Sequence, residues 1–310
     1  MTMKKGIKRF FVAVLAVVAG VAVVDFAVGK VMDWMLPQIS NIGDTGKTYY
    51  ALYDVDAPMV IVGSSRAAHH YVTNMIADSL GVTAYNVGRD GCFFSDNCCV
   101  INTILSRYAP QCLVWELGKG SLEQGGKDPL DALFPYYGKN DYVTSSIRDD
   151  YGFVERMPFV SNLYKYNSSI QRVLLFYRSR EANHQDKLHG YDPLPPRKWV
   201  AKYGNKPKEK DVRSVSEVKK RRLEEVLRNA QDKGTQIILV NSPAYMADST
   251  VTLSEQAIMK VCDQYGVQFI NANCIEGIYD DINLFKDGTH MNDLGAKKYT
   301  QWFIENVLVK

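Results

Sequence analysis

The chain is poor in the residues and spacings that mark several common protein classes. It has five histidines and six cysteines in 310 residues. The cysteines (Cys92, Cys98, Cys99, Cys112, Cys262 and Cys274) match no zinc spacing, because the adjacent Cys98 and Cys99 are echoed by no second pair. No metal site is expected, and no disulfide pairing can be assigned. Net charge is +3, too small an excess to point to nucleic acid. The one locally basic run, residues 206–222, reads as a solvated loop and helix face. There is no internal repeat or low-complexity segment, which excludes solenoids and disordered tails. The dinucleotide fingerprint G-x-G-x-x-G is missing, since residues 86–91 read N-x-G-x-x-G. The lipase-type elbow G-x-S-x-G is missing too, because Ala67 stands at its fifth position.

What is present begins with a membrane signal. Lys4, Lys5, Lys8 and Arg9 precede an apolar run, residues 10–29, whose only charge is Asp25. Twenty helical residues rise about 30 Å, the thickness of a bilayer's hydrocarbon core. Asp25 lies near one end of the run, where a charge can reach the interface. Basic residues ahead of the run place the N-terminus in the cytoplasm and everything beyond about Asp33 across the membrane, with Trp34 suited to the interface. The alternative is a signal peptide cleaved near residues 20–22. The run is long for that, so an uncleaved single-pass anchor is expected over residues 1–36, then a stalk over 37–57. Disulfides are permitted in the compartment either reading implies.

Beyond residue 58 short apolar runs alternate with helical patterns. Strands are expected at 58–62, 83–87, 111–117, 235–240 and 267–271, and helices at 67–81, 95–108, 216–234, 254–266 and 292–310. The interval 121–212, rich in Tyr, Asp, Asn and Pro, is too long for a plain loop and reads as a mostly helical or irregular insertion that covers a site. The expected fold is thus α/β, a doubly wound five-stranded parallel sheet of flavodoxin-like type over residues 58–310, with an insertion and an N-terminal transmembrane helix.

Ligands of such sheets bind beyond the carboxyl ends of the strands. Those ends carry Ser64, Ser65 and Arg66, then Gly88, Arg89 and Gly91, then Gly118, Lys119 and Gly120, then Asn241 and Tyr245, and finally Asp287 and His290. A hydroxyl is a weak nucleophile until a base takes its proton, and a carboxylate fixes the tautomer of that base. Asp287 and His290, three apart in one loop, can meet without help from distant structure. Ser65 ends a strand and opens a helix, where its hydroxyl is exposed and its N–H suits developing negative charge. Gly88 and Gly91 let backbone N–H groups approach a substrate. Arg66, Arg89, Asn241 and Tyr245 are candidate substrate contacts, while Trp115 and Glu116 read as packing residues. His69 and His70 read as structural, and His184 and His189 as solvated.

The blocks "VGSSR", "NVGRDG" and "DGTHMNDLG" resemble those of the SGNH/GDSL hydrolase superfamily. The resemblance covers about residues 58–120 and 235–310. It implies Ser65 as nucleophile with Ser64 in place of the family's Asp, Asp287 and His290 as its triad partners, and an oxyanion hole from the N–H groups of Ser65 and Gly91. No cofactor is implied. With the anchor, the chain is similar to membrane-bound envelope proteins of the teichoic-acid D-alanylation and alginate-acetylation type. That implies an esterase or O-acyltransferase acting on an acylated envelope polysaccharide, with a multi-spanning membrane acyltransferase as candidate partner. One block departs from the family. Its usual G-x-N-D reads "ELGKGS" here, with Lys119 or Gly120 where an oxyanion-donating Asn is expected. A backbone N–H of Gly118 or Gly120 can substitute; otherwise the site is slow or specialised for transfer. A non-catalytic envelope protein and a nucleotide-binding domain are the alternatives, the second disfavoured by the outward topology.

Overall fold

The computed structural model describes residues 2–183, 186–196 and 214–309, the side chains of 2–4 and 181–183 excepted. Helix α1 (Thr2–Met35) contains the apolar run and continues past it. It is the one helix among the described residues long and apolar enough to cross a membrane. Its last turns join the folded body: Met32 and, in the following 3₁₀ turn, Leu36 are buried.

Residues 37–57 are not the stalk the sequence suggested. They form the 3₁₀ turn Leu36–Ile39 and helix α2 (Gly43–Tyr53), with Ile39, Ala51, Leu52 and Val55 fully buried. The start of α2 packs back on that turn closely enough to require glycine, since a Cβ at Gly46 would lie 2.0 Å from the Ile39 carbonyl oxygen. Polar spacing hid this segment, whose apolar residues apart from Pro37 are buried or half-buried.

The sheet follows. Strand β1 (Met59–Val62) leads into α3 (Ser65–His70) and α4 (Thr73–Leu80). Then come β2 (Ala84–Asn86), α5 (Phe94–Arg107) and β3 (Cys112–Glu116). Between β3 and the next strand lie a 3₁₀ helix (Asp131–Tyr136), α6 (Asp141–Asp150), α7 (Phe153–Arg156), α8 (Asn162–Tyr166), α9 (Ile170–Asn183) and α10 (Glu217–Lys233). Parts of the expected insertion, 184–185 and 197–212, lie outside the described residues, as do His184 and the start of the basic run. Strand β4 (Gln236–Asn241), α11 (Leu253–Tyr265), β5 (Gln268–Asn271) and α12 (Asp293–Phe303) complete the chain, with a π-helical turn at Ile304–Leu308.

All five strands are parallel, in the order β2-β1-β3-β4-β5. Side chains alternate across a strand. Val60 and Val62 therefore enter the core shared with α5 and α10, and Met59 and Ile61 the core shared with α12. Both faces of the central strands are covered, which is why β1 and the middle of β3 and β4 read as unbroken apolar runs. The expected helix at 67–81 is broken at Tyr71 and Val72. Tyr71 is extended (φ −115°, ψ 106°), and the Val72 N–H donates to Thr300 Oγ1 at 2.9 Å instead of continuing the helix. All six cysteines are unpaired, and Cys92, Cys98, Cys99 and Cys262 are buried.

Candidate functional site

Ser65 opens α3 directly after β1, so its hydroxyl sits at the carboxyl rim of the sheet. His290 arrives from the loop before α12, 225 residues later, and its Nε2 lies 2.7 Å from Ser65 Oγ. The same imidazole faces Asp287 through Nδ1, 3.0 Å from Oδ1 and 2.9 Å from Oδ2. Asp287 Oδ1 also accepts the N–H groups of Thr289 (2.8 Å) and His290 (2.9 Å). Burial works to raise the Asp287 carboxyl, but these hydrogen bonds outweigh it and hold the group below the ordinary carboxylate range. An ionised Asp287 takes Nδ1–H, which leaves Nε2 as an acceptor, and Ser65 Oγ–H donates to it. The order Ser–His–Asp is thus fixed by hydrogen-bond polarity.

A cavity of 350 Å³ opens beside Ser65, lined among others by Gly91, Phe93, Asn97, Gly118 and Gly120, with the Lys219–Asp128 ion pair (2.8 Å) on its wall. Gly91 reaches it on a loop with φ +68°, a backbone state that favours glycine. Gly88 does not reach it. It is buried, and a Cβ there would come within 2.5 Å of the Ala68 nitrogen. Its role is close packing of the β2 loop on α3. Asn86 makes the same connection by donating to the Ala67 carbonyl at 2.7 Å and accepting from Gly88 N–H at 2.9 Å.

Three of the four candidate substrate contacts are interior. Arg89 is fully buried, paired with Asp96 and donating to Thr48 Oγ1 at 3.0 Å. Arg66 spends its guanidinium on the carbonyls of Ser242 (2.9 Å) and Leu117 (3.0 Å), on Asn241 Oδ1 (2.9 Å) and on Glu116 (2.9 Å). Asn241 is 1% exposed and continues that network through Nδ2 to Glu255 Oε1 at 3.1 Å. Burial is the reason: polar groups at the sheet's rim are engaged by backbone carbonyls and neighbouring carboxylates before any ligand arrives. Tyr245 is half-buried, its ring 5.7 Å from Phe285 and its N–H on the Gly288 carbonyl at 3.2 Å. It helps to seat the His290 loop. His189, expected to be solvated, is half-buried, and its carbonyl accepts from Asn86 N–H at 2.9 Å.

The two histidines on α3 bear on the site more than the sequence reading allowed. His69 is four residues after Ser65 and so shares its helix face; that spacing was available in the sequence. Its ring meets His290 edge-on at 5.8 Å. Both its nitrogens face acceptors, Asp192 O at 2.6 Å and Asp90 Oδ1 at 3.1 Å, a setting that favours the doubly protonated ring. Burial opposes that charge, but Asp90 and Asp192 outweigh it and raise the imidazole's pKa.

His70 is completely buried, and its Nε2 accepts the Met291 N–H, next to His290, at 3.0 Å. Its Nδ1–H then donates to Ser242 Oγ (2.8 Å), and Ser242 donates to Glu116 (2.9 Å). Burial first, then the charges of Arg66, His290 and His69, push His70 well below its ordinary 6.5. It stays neutral when folded and takes a proton once unfolded. Stability should therefore be lost as pH falls below about 6.5, by up to about 1.4 kcal/mol per pH unit. His69, with its raised pKa, acts in the opposite sense. Comparison of wild type with His70→Asn isolates the His70 part: the variant should show a shallower fall of unfolding midpoint between pH 6.5 and 5. Parallel curves would rule out a buried neutral His70.

The cavity also holds a residue the sequence reading did not single out. Asn97, 3% exposed in the second turn's start of α5, lines the cavity with Ser65, and its Oδ1 has no hydrogen-bond partner among the described residues. No family model matches the chain, and no curated protein matches it.

Proposed function

We propose that the chain is an SGNH-type serine esterase or O-acyltransferase, held in a membrane by α1 and facing outward, that acts on acyl esters of a cell-envelope glycan or related polymer. The observation that carries this reading is the Ser65–His290–Asp287 relay, with Ser65 Oγ 2.7 Å from His290 Nε2. The strand order 2-1-3-4-5 is the flavodoxin-like one and supports the same family reading. Residues 121–212, which separate β3 from β4, are read as the insertion that distinguishes this chain from a minimal SGNH domain.

The chemistry follows from the relay. Ser65 Oγ attacks the acyl carbonyl carbon as its proton passes to His290 Nε2, and Asp287 stabilises the imidazolium. The carbonyl oxygen becomes an oxyanion, facing the N–H groups of Ser65 and Gly91. Collapse breaks the ester C–O bond, and the departing alcohol takes the proton from His290. Water or a sugar hydroxyl then resolves the acyl-serine by the reverse proton path. The "ELGKGS" turn brings no side-chain donor. Lys119 is turned away, its Nζ on the Asp248 carbonyl at 2.6 Å. The Asn97 side chain lies on the wall of the same cavity, and its Nδ2–H is the donor we assign to that duty. The Lys119 departure also supports the second reading, a non-catalytic SGNH-fold envelope protein; the formed Ser65–His290 hydrogen bond speaks against it.

The full chain, purified in detergent, should react with a fluorophosphonate probe and turn over p-nitrophenyl acetate, and Ser65→Ala should do neither. Equal labelling of Ser65→Ala would refute the nucleophile. A wild type inert to the probe and to several acyl esters would favour the non-catalytic reading.

A further inference from the structure

Helix α1 meets the folded body too early to cross a bilayer alone. The fifteen steps from Phe10 to Asp25 rise about 22 Å, against a hydrocarbon core of about 30 Å. Yet at Asp25 the helix is already joined to the segment between β3 and β4. The Asp25 carboxylate accepts Ser161 Oγ–H at 2.5 Å and the N–H groups of Asn162 (2.8 Å) and Leu163 (2.9 Å), at the start of α8. One turn on, Gly29 touches α8 so closely that a Cβ there would lie 2.5 Å from Asn162 Cγ. The start of α8 is thus held about 7–8 Å below the level at which the hydrocarbon must end.

The chain leading into that contact is apolar and outward-facing. Across α7 and the 3₁₀ turn Met157–Val160, Phe153 and Val154 are each 75% exposed, Met157 56% and Val160 88%, and Leu163 at the start of α8 is 38% exposed. This is continuous with the exposed apolar surface of α1, where Val24 and Phe26 are 57% and 59% exposed. Val160 immediately precedes Ser161, which binds Asp25. Interfacial helices sink about 5–10 Å into the boundary between headgroups and acyl chains, which matches the shortfall in α1. Asp25 has no need of water at that depth, because the α8 backbone amides and Ser161 satisfy it. Lys30, exposed one turn above with its Nζ 5.4 Å over the Phe26 ring, stands where an ammonium reaches lipid phosphate.

We propose that residues 153–163 form a shelf embedded in the outer interfacial layer of the bilayer that α1 crosses. The occupant of the apolar face is lipid. The inference rests on the reading of α1 as an uncleaved anchor and is independent of the chemistry at Ser65.

The test uses the full chain reconstituted in phosphatidylcholine–phosphatidylglycerol vesicles, with single photoreactive substitutions Val18→p-benzoylphenylalanine, Phe153→p-benzoylphenylalanine, Val160→p-benzoylphenylalanine and Met259→p-benzoylphenylalanine. Met259 is 45% exposed on α11, which packs on the edge strand β5. Positions 18, 153 and 160 should form lipid adducts and position 259 should not. Adducts at 18 but not at 153 or 160 overturn the shelf and leave the anchor standing. No adduct at 18 removes the anchor reading and the shelf with it. Adducts of 153 and 160 to a protein rather than to lipid, in native membranes, would also overturn it.

Discussion

Ser65→Ala and His290→Ala should each lower kcat on an activated ester by about 10⁴–10⁶-fold, and the double variant should be no slower than the worse single one. The two side chains share one proton, carried by a 2.7 Å hydrogen bond. Without the hydroxyl the imidazole has nothing to deprotonate, and without the imidazole the hydroxyl stays a weak nucleophile. Residual activity would come from oxyanion donors and binding alone. Asp287→Asn should cost about 10⁴-fold or less. Its side chain is 46% exposed, so water can take over part of the task of holding Nδ1–H. The ranking Ser65 ≈ His290 > Asp287 and the non-additivity are read from steady-state kinetics on purified full-length variants. Independent, multiplying losses at Ser65 and His290 would mean that the two groups do not act as a unit.

Arg66→Ala should produce the largest loss of stability. Glu116 is 3% exposed, and Arg66 is the cation that compensates it, at 2.9 Å. Removal of one partner of a buried pair costs about 3–5 kcal/mol, a large share of the 5–15 kcal/mol typical of a folded protein. The carbonyls of Leu117 and Ser242, and Asn241 Oδ1, lose a donor as well. Burial already raises the Glu116 carboxyl, while Arg66, Tyr71 and Ser242 restrain it. Without Arg66 it rises further, so the folded state binds a proton that the unfolded state does not. Such a group is destabilising at high pH and is relieved as pH falls. The deficit of Arg66→Ala should therefore be smaller at pH 5 than at pH 8, and Glu116→Gln should recover part of it. Thermal unfolding of the single and double variants checks this; a deficit independent of pH and of Glu116 would show that the pair carries no special weight.

Much of this architecture was legible from local pattern. Strands expected at 58–62 and 111–117 appear at Met59–Val62 and Cys112–Glu116 because a strand buried on both faces is apolar along most of its length, and the one expected at 267–271 appears at the edge as Gln268–Asn271 around its apolar pair Phe269 and Ile270. The α12 start was legible for a similar reason: Asn292 caps it by accepting the Gly295 N–H at 3.0 Å. Asp287 and His290 meet because three residues of one loop suffice to bring them together. Failures came where distant groups decide. Tyr71 and Val72 break a helix that the sequence continues, through a hydrogen bond to Thr300. Residues 37–57 looked like a stalk because their few apolar side chains carry no period until α5 and α9 supply a surface for them.

By itself, then, the sequence determined the alternation of strands and helices, the apolar length of α1 and the identity of the Asp–His loop, all set by neighbours within a few residues. Tertiary structure alone decided that Ser65 meets His290 across 225 residues, that Arg66, Arg89 and Asn241 turn inward, and that Asp25 caps α8. The physical reason is common to all three. A polar side chain that leaves water must find a partner, and which partner stands within reach is a property of the packed chain, not of its local order.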